Sequence, residues 1–365
     1  MDDLAGALAR AHPELEPVRA AAQEPVFLVG GAVRDLLLGQ PRSDVDLVVE
    51  GDAAALAERL GGAAVEHERF GTAKVEVEGH EIDLASARTE SYPEPGALPQ
   101  VAGAASVEAD LRRRDFTINA MAIPLQGEPR LIDPFGGRAD LDRGLLRVLH
   151  EQSFEDDPTR AIRAARYASR FGFSLDPQTY ELLLKADLAT VSADRRRAEL
   201  ERLAAEPGGR VGLGLLAGWG AIDLREDGME LMRSVELLLQ TPHWGEFVSR
   251  PQALVAAALG PEGAERVLAS LPEPKPGEGL ELAERREPVE LILARALGAT
   301  WLDRYLTRWR LVRLEIDGGD LIAAGIPEGP AVGRGLRAAK HQRLEGQVRG
   351  REEELAAALE AARAG

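Results

Sequence analysis

Asp44 and Asp46, two residues apart in Ser43-Asp44-Val45-Asp46-Leu47-Val48-Val49, are the pair in this chain best suited to metal-assisted chemistry. They lead into an apolar run that reads as a strand. On a strand, side chains at i and i+2 share one face, with Cα atoms roughly 6.5–7 Å apart. Carboxylates so spaced can jointly hold two magnesium ions about 3.5–4 Å apart, the arrangement used for in-line phosphoryl transfer. Hard oxygen ligands suit magnesium, and no His/Cys set competes for a softer metal. A third carboxylate can come from Asp83, the polar member of Ile82-Asp83-Leu84. Taken alone, an Asp-x-Asp at a strand start is equally compatible with turn chemistry.

Upstream, Leu28-Val29-Gly30-Gly31-Ala32-Val33-Arg34-Asp35 joins a strand to a helix through two glycines. Backbone there can approach a triphosphate, the helix N-terminus presents free N–H groups, and Arg34 one turn later can fork onto phosphate oxygens. The pattern is neither Gly-x-Gly-x-x-Gly nor a Walker A loop, and a tight bend explains two glycines as well.

The elements needed to position these groups follow from the periodicity. Strands are expected at Pro25–Val29, Val45–Val49, Ala73–Val77 and Glu81–Leu84, with helices at Ala32–Leu38 and Ala53–Leu60 between them. Pro41-Arg42-Ser43 reads as the turn before the Asp pair, and Phe116–Ala122 as a further strand-like run. This alternation indicates a small α/β unit. Pro93, Pro95, Gly96 and Pro99 mark a loop. From about Asp157 strand signals almost vanish, and Pro158–Phe171, Pro177–Lys185 and Ala193–Ala205 show helical spacing, as do the alanine-rich stretches after Pro251. Pro272, Pro274 and Pro276 form a linker or long turn.

At 365 residues, more than one packed unit is expected. There are no cysteines, so disulfides, a thiolate metal site and a Cys nucleophile are excluded. No apolar run is long enough to span a bilayer, and the N-terminus is acidic where a signal peptide needs bases; a cytoplasmic protein without membrane contact is expected. A net charge of −17 argues against nonspecific coating of nucleic acid, yet the arginines cluster at 112–114, at 160, 163, 166 and 170, and at 195–197. Local clusters, not the total, decide whether a phosphate-bearing ligand is drawn in.

In order, the motifs Phe-Leu-Val-Gly-Gly-Ala-Val-Arg-Asp (27–35) and Ser-Asp-Val-Asp-Leu-Val-Val (43–49) resemble the head signature of class II tRNA nucleotidyltransferases and bacterial poly(A) polymerases. The resemblance continues through Arg-Arg-Arg-Asp-Phe-Thr-Ile-Asn-Ala-Met-Ala (112–122), Asp-Pro-Phe-Gly-Gly (133–137) and Glu-Asp-Asp-Pro-Thr-Arg-Ala-Ile-Arg-Ala-Ala-Arg-Tyr (155–167). It extends more loosely to residues 191–200. It implies that Asp44 and Asp46 hold Mg2+, that Gly30, Gly31 and Arg34 meet the incoming nucleotide's phosphates, and that Arg114 and Asp115 contact its ribose and phosphates. Asn119 fits either a ribose contact or a buried hydrogen bond.

The resemblance further implies that Asp157 and Arg160, neighbours at i and i+3 on a helix, imitate a template base and read ATP or CTP. Asp157-Pro158 also has the form of a helix N-cap followed by Pro at the first position, unless Asp156 supplies the cap. Arg163, Arg166 and Arg170 continue along that face toward the triphosphate or the RNA end, or form a solvated stripe. Arg195 and Glu199, at i and i+4, are expected to brace their own helix as an ion pair.

The expected architecture is α+β: a nucleotidyltransferase α/β head with a small mixed sheet (1–150), a helical neck (151–225) and a helical body and tail (226–365). The implied activity is addition of CCA, or of the terminal A, to tRNA from CTP and ATP. Residues 87–99 occupy the position of a loop that CC-only enzymes shorten, which favours A addition, and Gly318–Pro330 is similar to tails of tRNA-directed relatives rather than of poly(A) polymerases. A poly(A) polymerase and a catalytically silent RNA-binding descendant are the alternatives. None of His12, His67, His80, His150, His243 or His341 is followed by Asp, so no His-Asp phosphohydrolase module is evident.

Overall fold

Val26–Val29 (β1) is apolar and buried at all four positions, as a strand covered on both faces must be. In the computed structural model, which describes residues 3–40, 44–61, 71–104, 106–260 and 273–364, β1 lies inside a five-stranded mixed sheet. It pairs antiparallel with Val45–Val49 (β2) on one side and with Ala122–Pro124 (β7) on the other. Beyond β2 come His80–Ser86 (β4), parallel to β2, and Thr72–Val77 (β3), antiparallel to β4, giving the order β3-β4-β2-β1-β7. Helix α1 (Leu4–Ala11) and α2 (Leu15–Ala21) precede this sheet, while α3 (Gly31–Leu38) and α4 (Ala53–Arg59) are threaded between its strands. Gly39 ends α3 in the left-handed conformation, with φ 62°, as a glycine C-cap does.

Three expectations change on contact with tertiary structure. Phe116–Ala122 is not one strand: Phe116 makes an isolated antiparallel bridge to Val148, Thr117–Asn119 forms a 3-10 turn, and pairing with β1 begins only at Ala122. Side chains outcompete the ladder here, because Asp115 accepts from the Phe116 N–H and from Asn119, while the Thr117 hydroxyl donates to Asp140. Next, the loop after Ala87 is flanked by a hairpin, Arg88–Ser91 (β5) with Gln100–Gly103 (β6), which leaves only 92–99 as its tip. Finally, one short strand does follow Asp157, for Ser174–Leu175 pairs with Leu145–Leu146. The turn Pro41–Ser43 and linker residue Pro272 lie outside the described residues.

Helices α5 (Val107–Arg112), α6 (Gly137–Arg143), α7 (Ser153–Asp156) and α8 (Thr159–Phe171) carry the chain out of the sheet. Gly137 opens α6 because an added Cβ would sit 2.1 Å from the Thr117 carbonyl oxygen. After α9 (Pro177–Leu183), α10 (Ala193–Ala205) and α11 (Gly209–Gly218) pack along α8.

The chain divides into two compact units, Met1–Ile222 and Asp223–Gly365. In the second unit all described regular elements are helical, among them Gly228–Leu239, Arg250–Leu259, Pro288–Ala296, Pro330–Leu344 and Gly350–Arg363. Trp244 and Trp301 are fully buried there, and a separate cluster of Ile316, Leu321, Ile326, Ala339, Ala358 and Ala362 forms the core of its last helices. Among the described residues no helix is long and apolar enough to cross a membrane.

Candidate active site

β2 and β4 run parallel in a register that sets Asp46 opposite Asp83. Since Asp44 precedes Asp46 by two residues, all three carboxylates fall on one face of the sheet. They floor a cleft of about 1010 Å³ in the first unit, walled by α3, α8, α10, the β5–β6 hairpin and the segment after α5. Burial pushes the Asp46 carboxyl above the ordinary range; Arg114 opposes this, and the neighbouring Asp83 and Asp44 add to it. Asp83 faces Lys74 across the β3–β4 ladder, where the ammonium bridges Glu81 at 2.6 Å and Asp83 at 3.1 Å. Asp83 is thus already partnered, and the under-compensated negative charge sits at Asp44 and Asp46.

Among the described residues no group of three or more His, Cys, Asp or Glu side chains forms a closed metal cage. Two oxygen-donor residues at the edge of an open cleft nevertheless fit magnesium, which keeps several waters and completes its shell from substrate phosphates.

Gly30 has φ 68° and ψ −129°, a combination that side-chain-bearing residues avoid, and an added Cβ would lie 2.5 Å from Arg114 Nη1. The glycine turn therefore serves to let Arg114 lie across the backbone, between Asp110 (3.2 Å) and the field of Asp46. Gly30→Ala should leave the protein folded, at a backbone cost of about 1–3 kcal/mol, but displace Arg114. The expected readout is a nucleotide Kd at least about tenfold weaker with a modest fall in Tm; an unchanged Kd contradicts this role for the turn.

Arg34, expected to fork onto phosphate, is committed within the protein. Its Nε and Nη2 donate to Asp35 Oδ1 (2.8 and 2.7 Å), its Nη1 donates to Asn119 Oδ1 (2.7 Å), and it lies over the rings of Tyr167 and Phe171. Asn119 is 5% exposed and passes the connection on, donating through Nδ2 to Asp115 Oδ1 (2.9 Å). The buried hydrogen bond, one of the two openings left for it, is formed, and the residue also lines the cleft. Asp115 in turn receives Arg163 at 2.7 Å, so Arg34, Asn119, Asp115 and Arg163 form one chain under the cleft. Burial alone would raise the Asp115 carboxyl, but Arg163 beside it and the Asn119 hydrogen bond hold it well below the usual range. Asp115 thus accepts from Asn119 and Arg163 at the lining of the cleft.

On α8 the arginines differ. Arg163 belongs to Asp115, and Arg170 lies between Asp35 (3.6 Å) and Glu206 (3.7 Å). Arg166 rests on Tyr167 and has no carboxylate within ion-pair distance among the described residues, which leaves its charge for a ligand.

Asp157 does two jobs. Its Oδ1 accepts from the Thr159 N–H (3.0 Å) and hydroxyl (2.6 Å), the helix-entry hydrogen bonds anticipated for a cap. Arg195 Nη2 also holds Oδ1, at 2.8 Å, while Oδ2 has no hydrogen-bond partner among the described residues. One oxygen is pinned and the other is unpaired, on a residue that lines the cleft. Arg160, 4% exposed, is fixed by donating to Ser153 Oγ (2.6 Å) and to the Arg113 carbonyl (2.9 Å), with further N–H groups to spare.

The Arg195–Glu199 brace does not form. Arg195 instead links Asp157 to the Gly96 carbonyl at the hairpin tip (3.0 Å), and Glu199 pairs with Arg202. A cross-fold carboxylate displaced the local i, i+4 partner. Sequence reasoning also gave no role to Lys74, Asp110, Glu90 or Tyr92, all in or beside the cleft. For Glu90 and Tyr92 the available signal was alternation along β5, which points Arg88, Glu90 and Tyr92 to one side.

Residues 26–147 match the family described as the poly A polymerase head domain. An A-adding tRNA nucleotidyltransferase from Halalkalibacterium halodurans is 46% identical over 206 residues, covering 53% of this chain and 48% of that enzyme, so this match spans about half of the relative's length. A CC-adding tRNA nucleotidyltransferase from Deinococcus radiodurans is 38% identical over 356 residues, 93% of this chain and 90% of that one. Among solved structures, a Thermotoga maritima CCA-adding enzyme complexed with tRNA aligns over 98% of both chains with a TM-score of 0.72 and 29% identity.

Proposed function

The chain belongs to the family of CC-, A- and CCA-adding tRNA nucleotidyltransferases, and we propose that it extends the 3′ end of tRNA with nucleotides from CTP and ATP, releasing pyrophosphate. The observation that carries this reading is the single cleft in which Asp44 and Asp46 stand on the floor and Asp157, with its unpaired Oδ2, and the fixed Arg160 stand on the wall. A phosphate-reacting group and a base-reading group share one cavity.

Magnesium held by Asp44 and Asp46 would neutralise the triphosphate and make the RNA 3′-hydroxyl more acidic. Arg166 and Arg114 supply positive charge to the phosphates, and Gly31 lets them approach the start of α3. Asp83, neutralised by Lys74, tunes the floor rather than reacting. Asp157 accepts from a base amino group and Arg160 donates to ring acceptors, a pairing that suits the edges of both cytosine and adenine. Each good two-point contact discriminates by about 1–3 kcal/mol. Phosphoryl transfer needs little else than this positioning and charge placement. The second unit's helices then serve to hold tRNA by shape and phosphate contacts. With tRNA as substrate, the working compartment is the cytoplasm.

The complete β5–β6 hairpin supports addition of the terminal A, alone or after CC. The full-length similarity to a CC-adding enzyme favours a second reading, addition of CC alone. Primer extension on tRNA transcripts lacking CCA, ending in C or ending in CC, with each nucleotide supplied separately and together, separates the products. ATP incorporation only onto the CC end selects A addition, arrest after two C residues selects CC addition, and long ATP-only tails on any RNA select poly(A) synthesis. No incorporation with magnesium present would reduce the chain to an RNA-binding descendant of the fold.

A further inference from the structure

Two of the residues lining the cleft are aromatic, and they are in opposite situations. Tyr167 is 5% exposed and spent: it stands edge-on to Phe116 at 5.9 Å, lies along Phe171, and carries Arg34 and Arg166 on its faces. Tyr92, at the end of β5, is only half-buried, and no aromatic ring or guanidinium stacks on it among the described residues. Its ring is nevertheless held in place. The hydroxyl donates to Glu90 Oε2 (3.1 Å), and Glu90 Oε1 is clamped by Arg113 at 2.7 Å.

Arg113 connects this tyrosine to the base-reading pair, because its backbone carbonyl is one of the two acceptors that fix Arg160. One residue therefore sets both the phenol, through its side chain, and the guanidinium, through its backbone. Burial pushes the Tyr92 hydroxyl up to about 12, and the hydroxyl lies within electrostatic reach of both Arg160 and Asp157. Tyr92 is thus a neutral, anchored aromatic surface with an uncommitted face, next to the groups that read a base edge. Hydrogen bonds at an edge fix a base in its plane but do not stop it tilting out of that plane, and a stacked ring does.

Resting on the nucleotidyltransferase reading above, we propose that the Tyr92 ring is the stacking surface for the base of the incoming nucleotide, holding it flat while Asp157 and Arg160 read its edge. Stacking on an aromatic face tolerates purines and pyrimidines alike, so one tyrosine serves CTP and ATP without choosing between them.

The test compares wild type, Tyr92→Ala and Tyr92→Phe by calorimetric titration with CTP, ATP and inorganic tripolyphosphate, and by steady-state extension of a tRNA transcript. Tyr92→Ala should weaken CTP and ATP by a similar factor, roughly 5- to 150-fold, and raise KM for both nucleotides while KM for tRNA stays put. Tripolyphosphate, which has no base, should bind wild type and Tyr92→Ala equally, which separates a lost stack from a collapsed site. Tyr92→Phe keeps the ring and should recover most of the affinity.

Three results overturn the proposal: nucleotide affinity unchanged in Tyr92→Ala, a change confined to KM for tRNA, or a loss in Tyr92→Phe as large as in Tyr92→Ala. If wild type binds CTP and ATP yet extends no RNA, the enzymatic reading falls. The stacking proposal is then still decided by the calorimetric ratio.

Discussion

Asp46→Ala should lose nucleotide incorporation by at least about 10³-fold while binding tRNA as wild type does and unfolding at a higher temperature. The loss follows from position: Asp46 stands between Asp44 and Asp83 on one sheet face, so its removal halves the unpartnered carboxylate pair that fits magnesium. The gain in stability follows from the same crowding. A carboxylate whose folded pKa is raised, here by burial and by two neighbouring carboxylates, destabilises the folded state at neutral pH, and deleting it removes that strain. Millimolar magnesium should raise the Tm of wild type and do so much less in the variant. Asp44→Ala should match the loss of activity, whereas Asp83→Ala should be milder because Lys74 already neutralises that carboxylate. Turnover surviving in Asp46→Ala would sink the metal assignment. A lower Tm in the variant would show that the floor is held together by these acids rather than strained by them.

The Asp44/Asp46 arrangement was readable in the chain because it depends only on strand period and on an apolar run that can form a strand. The glycine turn was readable for the same reason, although its use was not: the space at Gly30 is filled by Arg114, a residue 84 positions later that no local pattern connects to it. Partner choice among the arginines was the main thing hidden. Arg163 finds Asp115, Arg34 finds Asn119 and Arg195 finds Asp157, all across separate elements. The i, i+4 rule gave Arg195 to Glu199, because on an isolated helix nothing better is within reach. In the fold, a carboxylate pinned at a helix entry and a carbonyl at a hairpin tip together outbid it. Likewise Phe116–Ala122 has strand-like composition, and a buried Asp nearby turned it into a 3-10 corner. The negative net charge misled least. It is a property of the whole surface, whereas several arginines of this cleft, Arg34, Arg114, Arg163 and Arg195 among them, are oriented by carboxylates beside them.

Asp115→Ala should unfold at markedly lower denaturant concentration at neutral pH, by about 3 kcal/mol, and should lose much of the wild type's sensitivity to acid. Asp115 is 6% exposed; its Oδ1 accepts from the Phe116 N–H (2.8 Å) and Asn119 (2.9 Å), and its other oxygen accepts Arg163 (2.7 Å). With the carboxylate gone, two donors and a guanidinium lose their acceptor together. The pH dependence has a definite sign. A carboxyl held far below its usual value contributes stability that is fully present above the ordinary aspartate pKa of about 3.9. That contribution drains away as pH falls below this point toward the folded value. Urea titrations at pH 7 and near pH 3 should therefore show the two proteins far apart at pH 7 and closer together in acid. A constant gap across that range would mean the carboxylate acts by packing alone. The pairing itself can be isolated with Arg163→Leu. If most of the cost in Asp115→Ala is an abandoned buried cation, the double variant should be more stable than the sum of the two single losses allows, by about 1 kcal/mol or more. It should do so without regaining nucleotide affinity, because the chain through Asn119 to Arg34 that shapes the cleft floor would still be broken at its middle link.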